Sequence, residues 1–162
     1  PVLGNPDGDV TIVEFFDYQC GYCKSMAGPM RDLVHGDGKI RWVMKEFPIL
    51  GPESAVAARA SLAAQRQDKY ESFHFALIGL RGRLSEAAIW QAAAEVGLDL
   101  DKLKKDMADP AIQATIDTNY QLAEALQIQG TPAFTIGRTL IPGATPKEHL
   151  AELVRQVRAG KS

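Results

Sequence analysis

Apolar and polar positions along this chain fall into two regimes. Val10 to Phe16 (VTIVEFF) is a run of β-branched and aromatic residues after the turn-forming Asn5-Pro6-Asp7-Gly8, the pattern of a buried strand. After Asp17-Tyr18-Gln19 and Cys20-Gly21-Tyr22-Cys23, the stretch from Lys24 to His35 places Met26, Met30, Leu33 and Val34 at helical spacing. Gly28-Pro29 sits inside that helix and is expected to kink it rather than end it. Gly36-Asp37-Gly38 marks a turn, and Lys39 to Phe47 (KIRWVMKEF) reads as a second strand, with Pro48 and Pro52 punctuating its exit.

From Glu53 to Gln129 the pattern changes to Ala-, Leu- and charge-rich segments of helical period, broken near Asp68, Gly82, Gly97 and Pro110. Ser85-Glu86 and Asp109-Pro110 look like helix starts, and about four or five helices fit this stretch. β character resumes at Ala133 to Ile136 and Thr139 to Ile141 around Gly137-Arg138, which predicts a hairpin. Thr145-Pro146-Lys147-Glu148 resembles a helix start, and Leu150, Leu153, Val154 and Val157 give the last helix one apolar face. The order β-α-β, helical block, β-β-α predicts an α/β fold in three parts: residues 1–52, a helical insertion over 53–129, and residues 130–162.

A chain of 162 residues is one domain's worth, or one domain with an insertion, and can bury roughly two thirds of its unfolded surface without disulfides or metals. Eighteen Lys+Arg against 20 Asp+Glu leave a net charge of −2, which argues against a dedicated nucleic-acid or anionic-membrane binder. No run approaches the roughly 20 apolar residues of a membrane span. No signal-peptide pattern is present either, and the chain begins at Pro1 rather than Met, so a removed leader is expected.

The two cysteines, Cys20 and Cys23, close a loop too short to staple a fold, and a zinc site would need further ligands that His35, His74 and His149 are too scattered to supply. A Cys at the first turn of a helix has unpaired N–H groups and the positive end of the dipole beside its sulfur, which favours thiolate. In Cys-x-x-Cys motifs the pKa falls to about 3.5–7.5, against about 8.5 for a free cysteine. Cys20 is therefore expected to be the exposed nucleophile and Cys23 the buried resolving thiol, with Gly21-Tyr22 tuning the helix start and leaving an aromatic beside the site. The motif's place, directly after an apolar strand and opening a helix, strengthens that reading.

Two distant features bear on it. Glu14 lies mid-strand with Ile12 and Phe16 as alternation partners, so it either points inward, where a carboxylate needs a job or a partner, or marks a wet face. Lys45 on the next strand is a candidate partner. Gly130-Thr131-Pro132 opens the third strand, and its proline is either an ordinary edge residue or part of a cis Thr131–Pro132 bond.

The run Phe15-Phe16-Asp17-Tyr18-Gln19-Cys20-Gly21-Tyr22-Cys23, with Glu14 before it and Gly130-Thr131-Pro132 after the helices, resembles the DsbA family of thioredoxin-fold proteins, most of all its Com1-type subgroup. Glu46-Phe47-Pro48-Ile49-Leu50-Gly51-Pro52-Glu53 is similar to that subgroup's approach to its helical insertion. The resemblance implies a thioredoxin-like fold with an inserted all-helical subdomain and a cis-proline loop facing a redox-active Cys20–Cys23 disulfide, with no other cofactor. It implies a bacterial cell-envelope location, cysteine-containing protein substrates and a DsbB- or DsbD-like membrane redox partner. By position, Cys20 attacks, Cys23 resolves, Glu14 assists proton transfer at Cys23, and Thr131, Pro132, Tyr22 and Gly21 border the substrate.

Gly-Tyr between the cysteines, Thr before the proline and Thr139-Leu140-Ile141-Pro142-Gly143 resemble the DsbC/DsbG isomerases instead of the Pro-His oxidases. Oxidase action in oxidative folding leads, and isomerase or reductase action is the alternative. More distant readings are a glutathione-dependent enzyme, which would not need Cys23, a binding module, which would not need both cysteines, and a Cys–His hydrolase, which would need a histidine beside Cys20. His74, within Phe73-His74-Phe75, is expected to pack in the core.

Overall fold

A computed structural model describes residues 1–161. Its strands are β1 (Val2–Gly4), β2 (Val10–Phe16), β3 (Ile40–Glu46), β4 (Ala133–Ile136) and β5 (Thr139–Ile141). The helices are α1 (Gly21–Asp37), α2 (Pro52–Ala64), α3 (Tyr70–Ile78), α4 (Glu86–Glu95), α5 (Leu100–Met107), α6 (Pro110–Ala125) and α7 (Lys147–Arg158). The strands form one sheet of order β1-β3-β2-β4-β5, in which β2 and β3 are parallel and every other pairing is antiparallel. The parallel pair requires a crossover, and α1 supplies it, so the N-terminus of α1 emerges where β2 ends.

β2 is the central strand and is apolar on both sides because both sides are covered. On one face Ile12 and Phe16 pack with Trp42, Met44 and Phe134 against Met26, Met30 and Val34 of α1 and Leu150 and Val154 of α7. On the other, Phe15 packs with Phe47, Ala133, Ile128 and Ala123, the last from α6. In α2, Ala57, Ala58, Ala60, Ala63 and Ala64 are all buried, the small side chains letting neighbouring helices approach closely. Ser85 and Asp109 cap α4 and α6 as their sequences predict, accepting from Ala88 N at 3.1 Å and Ala111 N at 2.9 Å. At the other end of α1, Gly38 adopts φ 76° and its N–H closes onto Val34 O at 3.1 Å, the left-handed C-cap that glycine takes without steric penalty.

Local expectations need adjusting in three places. β1 carries no sequence signal, because three residues are too few to show alternation, yet it pairs along β3 from Val2↔Val43 to Gly4↔Arg41. α1 begins at Gly21, ahead of the residue at which its apolar period starts, and runs on through Pro29 to Asp37. The Thr145 hydroxyl shares a 2.9 Å hydrogen bond with His149 Nδ1 rather than capping the backbone, and Pro146 holds the cap position of α7.

Candidate active site

Cys20 is the N-cap of α1, with extended backbone (φ −74°, ψ 117°), and its sulfur accepts from the Cys23 N–H at 3.4 Å. Its thiol donates to the Thr131 carbonyl oxygen at 3.3 Å. The Thr131–Pro132 peptide bond is cis. Both cysteines are free thiols. Cys20 is not the exposed nucleophile the sequence suggests: it is 6% exposed against 1% for Cys23, because the loop carrying Thr131 packs over it. Of the four motif residues it is Tyr22, 70% exposed, that faces solvent, with Gly21 also on the surface.

The two sulfurs are electrostatically unequal. The Cys20 pKa is lowered to about 5, chiefly by a hydrogen bond from the Cys23 thiol, with the Thr131 side chain and the Cys23 and Tyr22 backbone N–H groups adding to it and burial opposing. Cys23 is pushed up, first because it is the donor in that thiol–thiol bond and next by burial, with the charges of Cys20 and Glu14 adding. One sulfur is set to be a thiolate while its neighbour keeps its proton.

Glu14 is the nearby carboxyl. It is 4% exposed, faces the same side of the sheet as Ile12 and Phe16, and accepts from the Trp42 indole Nε1 at 3.0 Å. Burial raises its pKa to about 8, the Trp42 bond opposing and the Cys20 charge adding. Of the two sequence readings, the inward one holds. Lys45 is not its partner: it pairs in register with Phe15, one position off, and borders the cleft formed by Val13, Phe15, Leu122 and Leu126 on the opposite face.

Several residues that fix the site have no role assigned to them by the sequence pattern. Asp17 is 1% exposed and accepts from Gln19 N (2.7 Å), Ile49 N (2.8 Å), Leu50 N (2.9 Å) and Ser54 Oγ (2.7 Å). Gln19 Nε2 reaches Leu50 O and Ser54 Oγ, each at 3.0 Å. Lys24, directly after the motif, donates from Nζ to Leu80 O (2.7 Å) and Ile78 O (3.3 Å) just beyond α3 and at its end. The chain on either side of Cys20 is thereby fastened to the helical block.

A second fastening is fully buried. The Tyr18 hydroxyl donates to Glu46 Oε1 at 3.1 Å, accepts from Ser61 Oγ at 2.8 Å, and shares a 2.9 Å hydrogen bond with His74 Nδ1. Tyr70 donates to the same Glu46 oxygen at 2.8 Å. Burial raises the Glu46 pKa to about 8, the two tyrosine hydrogen bonds opposing, and burial lowers His74 to about 3, so the imidazole is neutral in the core, as its sequence setting suggests. His35 lies 3.5 Å from Glu71, and His149 is engaged by Thr145.

A DSBA-like thioredoxin domain family model matches residues 11–155. The crystal structure of a thioredoxin-like oxidoreductase from Silicibacter pomeroyi DSS-3 superposes with a TM-score of 0.96 at 46% identity, covering 98% of this chain and 92% of that one. The thiol-disulfide exchange protein alpha-DsbA2 from Wolbachia pipientis superposes at 0.91 with 34% identity, covering 97% of this chain and 86% of that one. Among curated proteins, the Na(+)/H(+) antiporter NhaA 1 of Salinispora arenicola is 30% identical over 161 residues, 98% of this chain and 25% of its own length. The chain spans about a quarter of the length of the curated relatives it matches. A strand-to-helix Cys-x-x-Cys lies opposite a cis Thr-Pro loop on a sheet interrupted by five helices, and, with the family model matching residues 11–155, the chain belongs to the DSBA-like thioredoxin domain family.

Proposed function

We propose that the protein is a disulfide donor, an oxidase acting on cysteine-containing polypeptides in the bacterial cell envelope. The observation that carries this is the set of donors converging on the Cys20 sulfur, the Cys23 thiol foremost, which hold its pKa at about 5. A thiolate exists only in the reduced form, so whatever stabilises it makes the couple more oxidising. A donor of disulfides works where disulfides persist, which outside the cytosol of most bacteria means the envelope.

In the oxidised protein a substrate thiolate attacks Cys20 Sγ. The Cys20–Cys23 bond breaks, a mixed disulfide forms, and the electron pair leaves on Cys23, whose strong hold on a proton makes it the sulfur to be protonated. Glu14, neutral below about pH 8, is the buried acid whose charge is felt at Cys23, and it supplies that proton. A second substrate thiolate then attacks the substrate sulfur of the mixed disulfide, and Cys20 leaves as a thiolate. Two electrons have passed to the protein, which a membrane redox partner takes up to restore the disulfide. No cofactor beyond the cysteine pair takes part. Thr131 and Pro132 border the substrate chain, with Gly21 and Tyr22 across from them.

A second reading, isomerase or reductase, rests on the Gly-Tyr dipeptide, on Thr131 before the proline and on the Ile141-Pro142-Gly143 exit from β5. The reduction potential of the Cys20–Cys23 couple in a glutathione series decides. A value above the glutathione couple, near −120 to −180 mV as in strong thiol oxidants, is expected; a thioredoxin-like value near −270 mV contradicts the donor role.

A further inference from the structure

The face of the sheet turned away from Glu14 is only partly roofed. On that face α6 is fastened at the β3 side, where Asn119 Nδ2 donates to Glu46 O at 2.9 Å and Ala123 packs on Phe15. A helix with its side chains is about 10 Å across and strands lie about 4.8 Å apart, so one helix covers roughly two strands of the five. Pairing sets Val13 beside Thr135 and Thr135 beside Leu140, so the three share this face. Between that row and Leu122 and Leu126, one turn apart on α6, lies a cleft of about 470 Å³.

The cleft has an apolar body and a cation towards each end. Leu122, Leu126 and Leu140 are 38%, 37% and 36% exposed, three of the seven large apolar side chains that the described residues leave open to water. Gathered in one concavity, they differ from apolar residues scattered singly over a surface. No acid lines the cleft, and its charges are Lys45 and Arg138. Among the described residues neither cation is in an ion pair. Arg138 sits in the hairpin turn just past Ile136, which pairs with Ile12, whereas Lys45 pairs with Phe15. The two cations are therefore about 10 Å apart along the strand direction. An apolar pocket of about 300–1,000 Å³ with a few placed polar groups is the usual build of a small-molecule site.

We propose that this cleft is a binding site for a medium-chain fatty acid, with the carboxylate on Arg138 and the aliphatic tail lying over the three leucines towards Lys45. Charge complementarity selects an anion, and the guanidinium fork takes a carboxylate through two parallel hydrogen bonds where a lysine offers a point charge. A partner strand added at the free edge of β5 would run beside the cleft, about three strand spacings or 14 Å from β3, and could not reach Lys45. A second copy is disfavoured by size, because three half-exposed leucines fall far short of the roughly 800 Å² per partner that a stable dimer buries. The site lies on the face opposite Glu14 and includes neither cysteine, so the inference is independent of the direction of thiol–disulfide exchange.

The test titrates the oxidised full chain with decanoate below its micelle concentration, by calorimetry and by amide shifts in NMR spectra. Saturable binding is expected, with the shifted amides gathered at Leu122, Leu126 and residues 135–140. A fully buried methylene strengthens binding about fourfold, and about twofold is expected with one side of the chain in water, so decanoate should bind about fourfold more tightly than octanoate. Arg138→Gln, a surface change, is expected to weaken decanoate about fivefold. Decyltrimethylammonium, with the same tail and the opposite charge, should bind about tenfold more weakly than decanoate. No saturable binding, equal affinity for the two amphiphiles, or an affinity unchanged in Arg138→Gln overturns the proposal. So do shifts gathered at Cys20 and Thr131 instead. Shifts of the leucine amides that follow protein concentration without ligand would make the cleft an interface between two copies and overturn it as well.

Discussion

The Cys20 thiol and the Thr131 carbonyl oxygen lie 3.3 Å apart although 111 residues separate them in sequence. The carbonyl can accept a proton but cannot stabilise a thiolate, so its pairing with Cys20 ends once the sulfur ionises. The donors then decide the charge: the Cys23 thiol first, with the Thr131 side chain and two backbone N–H groups adding. In the disulfide form Cys20 has no proton to donate either, so in the form that a substrate meets the Thr131 carbonyl is free for an extended substrate N–H.

Removing the Thr131 hydroxyl isolates its share. One such hydrogen bond is worth roughly 1 kcal/mol, and about twice that to a charged sulfur. Thr131→Val is expected to raise the Cys20 pKa by about one unit and to make the couple more reducing by roughly 20 to 40 mV. Glutathione equilibration measures the potential and thiolate absorbance the pKa, and an unchanged potential restricts Thr131 to its backbone role.

Glu14 is the acid with the right burial for Cys23. Glu14→Gln keeps the Trp42 contact as a neutral amide and is expected to slow formation of the mixed disulfide on the order of a hundredfold, the low end for a positioned acid–base group. In the wild type that rate should fall as pH rises through about 8, where the acid ionises. Stopped-flow rates between pH 5 and 9 check this, and matching profiles for the two proteins leave Glu14 a packing residue.

Redox state and pH are linked through Cys20. Its folded-state pKa is depressed, so the reduced protein gains stability as pH rises from about 5 towards the unfolded thiol's value near 8.5, by at most about 1.4 kcal/mol per pH unit for one proton. The disulfide form lacks this group. Reduced protein is therefore expected to be the more stable at pH 7, with the gap closing as pH falls through about 5. Urea unfolding of both forms at pH 4 and pH 7 tests it, and a gap of the same size at both contradicts the depressed pKa.

Glu46 has the opposite sign. Its pKa is raised to about 8 by burial, so its neutral form contributes stability below the unfolded carboxyl value near 4.3 that is lost as pH rises through 8. Glu46→Gln removes that titration. The variant's stability should lose up to about 1.4 kcal/mol per pH unit less than the wild type between pH 5 and pH 8. Parallel stability curves would show that Glu46 is ionised throughout.

Much of this site is legible in the chain because its signals are local. The apolar run before Cys20, the helical period after it and the alternation around Glu14 each lie within a few residues. Glu46 could have been read in the same way: Ile40, Trp42, Met44 and Glu46 share one face of β3, and all are buried. The partners of Tyr18 could not, since Ser61 and His74 lie 43 and 56 residues away on two helices whose packing no short pattern specifies. Burial of Cys20 was hidden for the same reason, because the loop that covers it arrives from beyond the helical block. Lys45 misleads because adjacency in sequence ignores the pleat, which turns it away from Glu14.

Titration of the Cys20 thiol tests the account most directly. Thiolate absorbance in the Cys23→Ser protein, which keeps a hydroxyl able to donate where the Cys23 thiol stood, should report a Cys20 pKa near 5 and no higher than about 7, within the range of reactive Cys-x-x-Cys thiols. A value near 8.5, that of a free cysteine, would mean that the converging donors do not stabilise the thiolate and would contradict the mechanism.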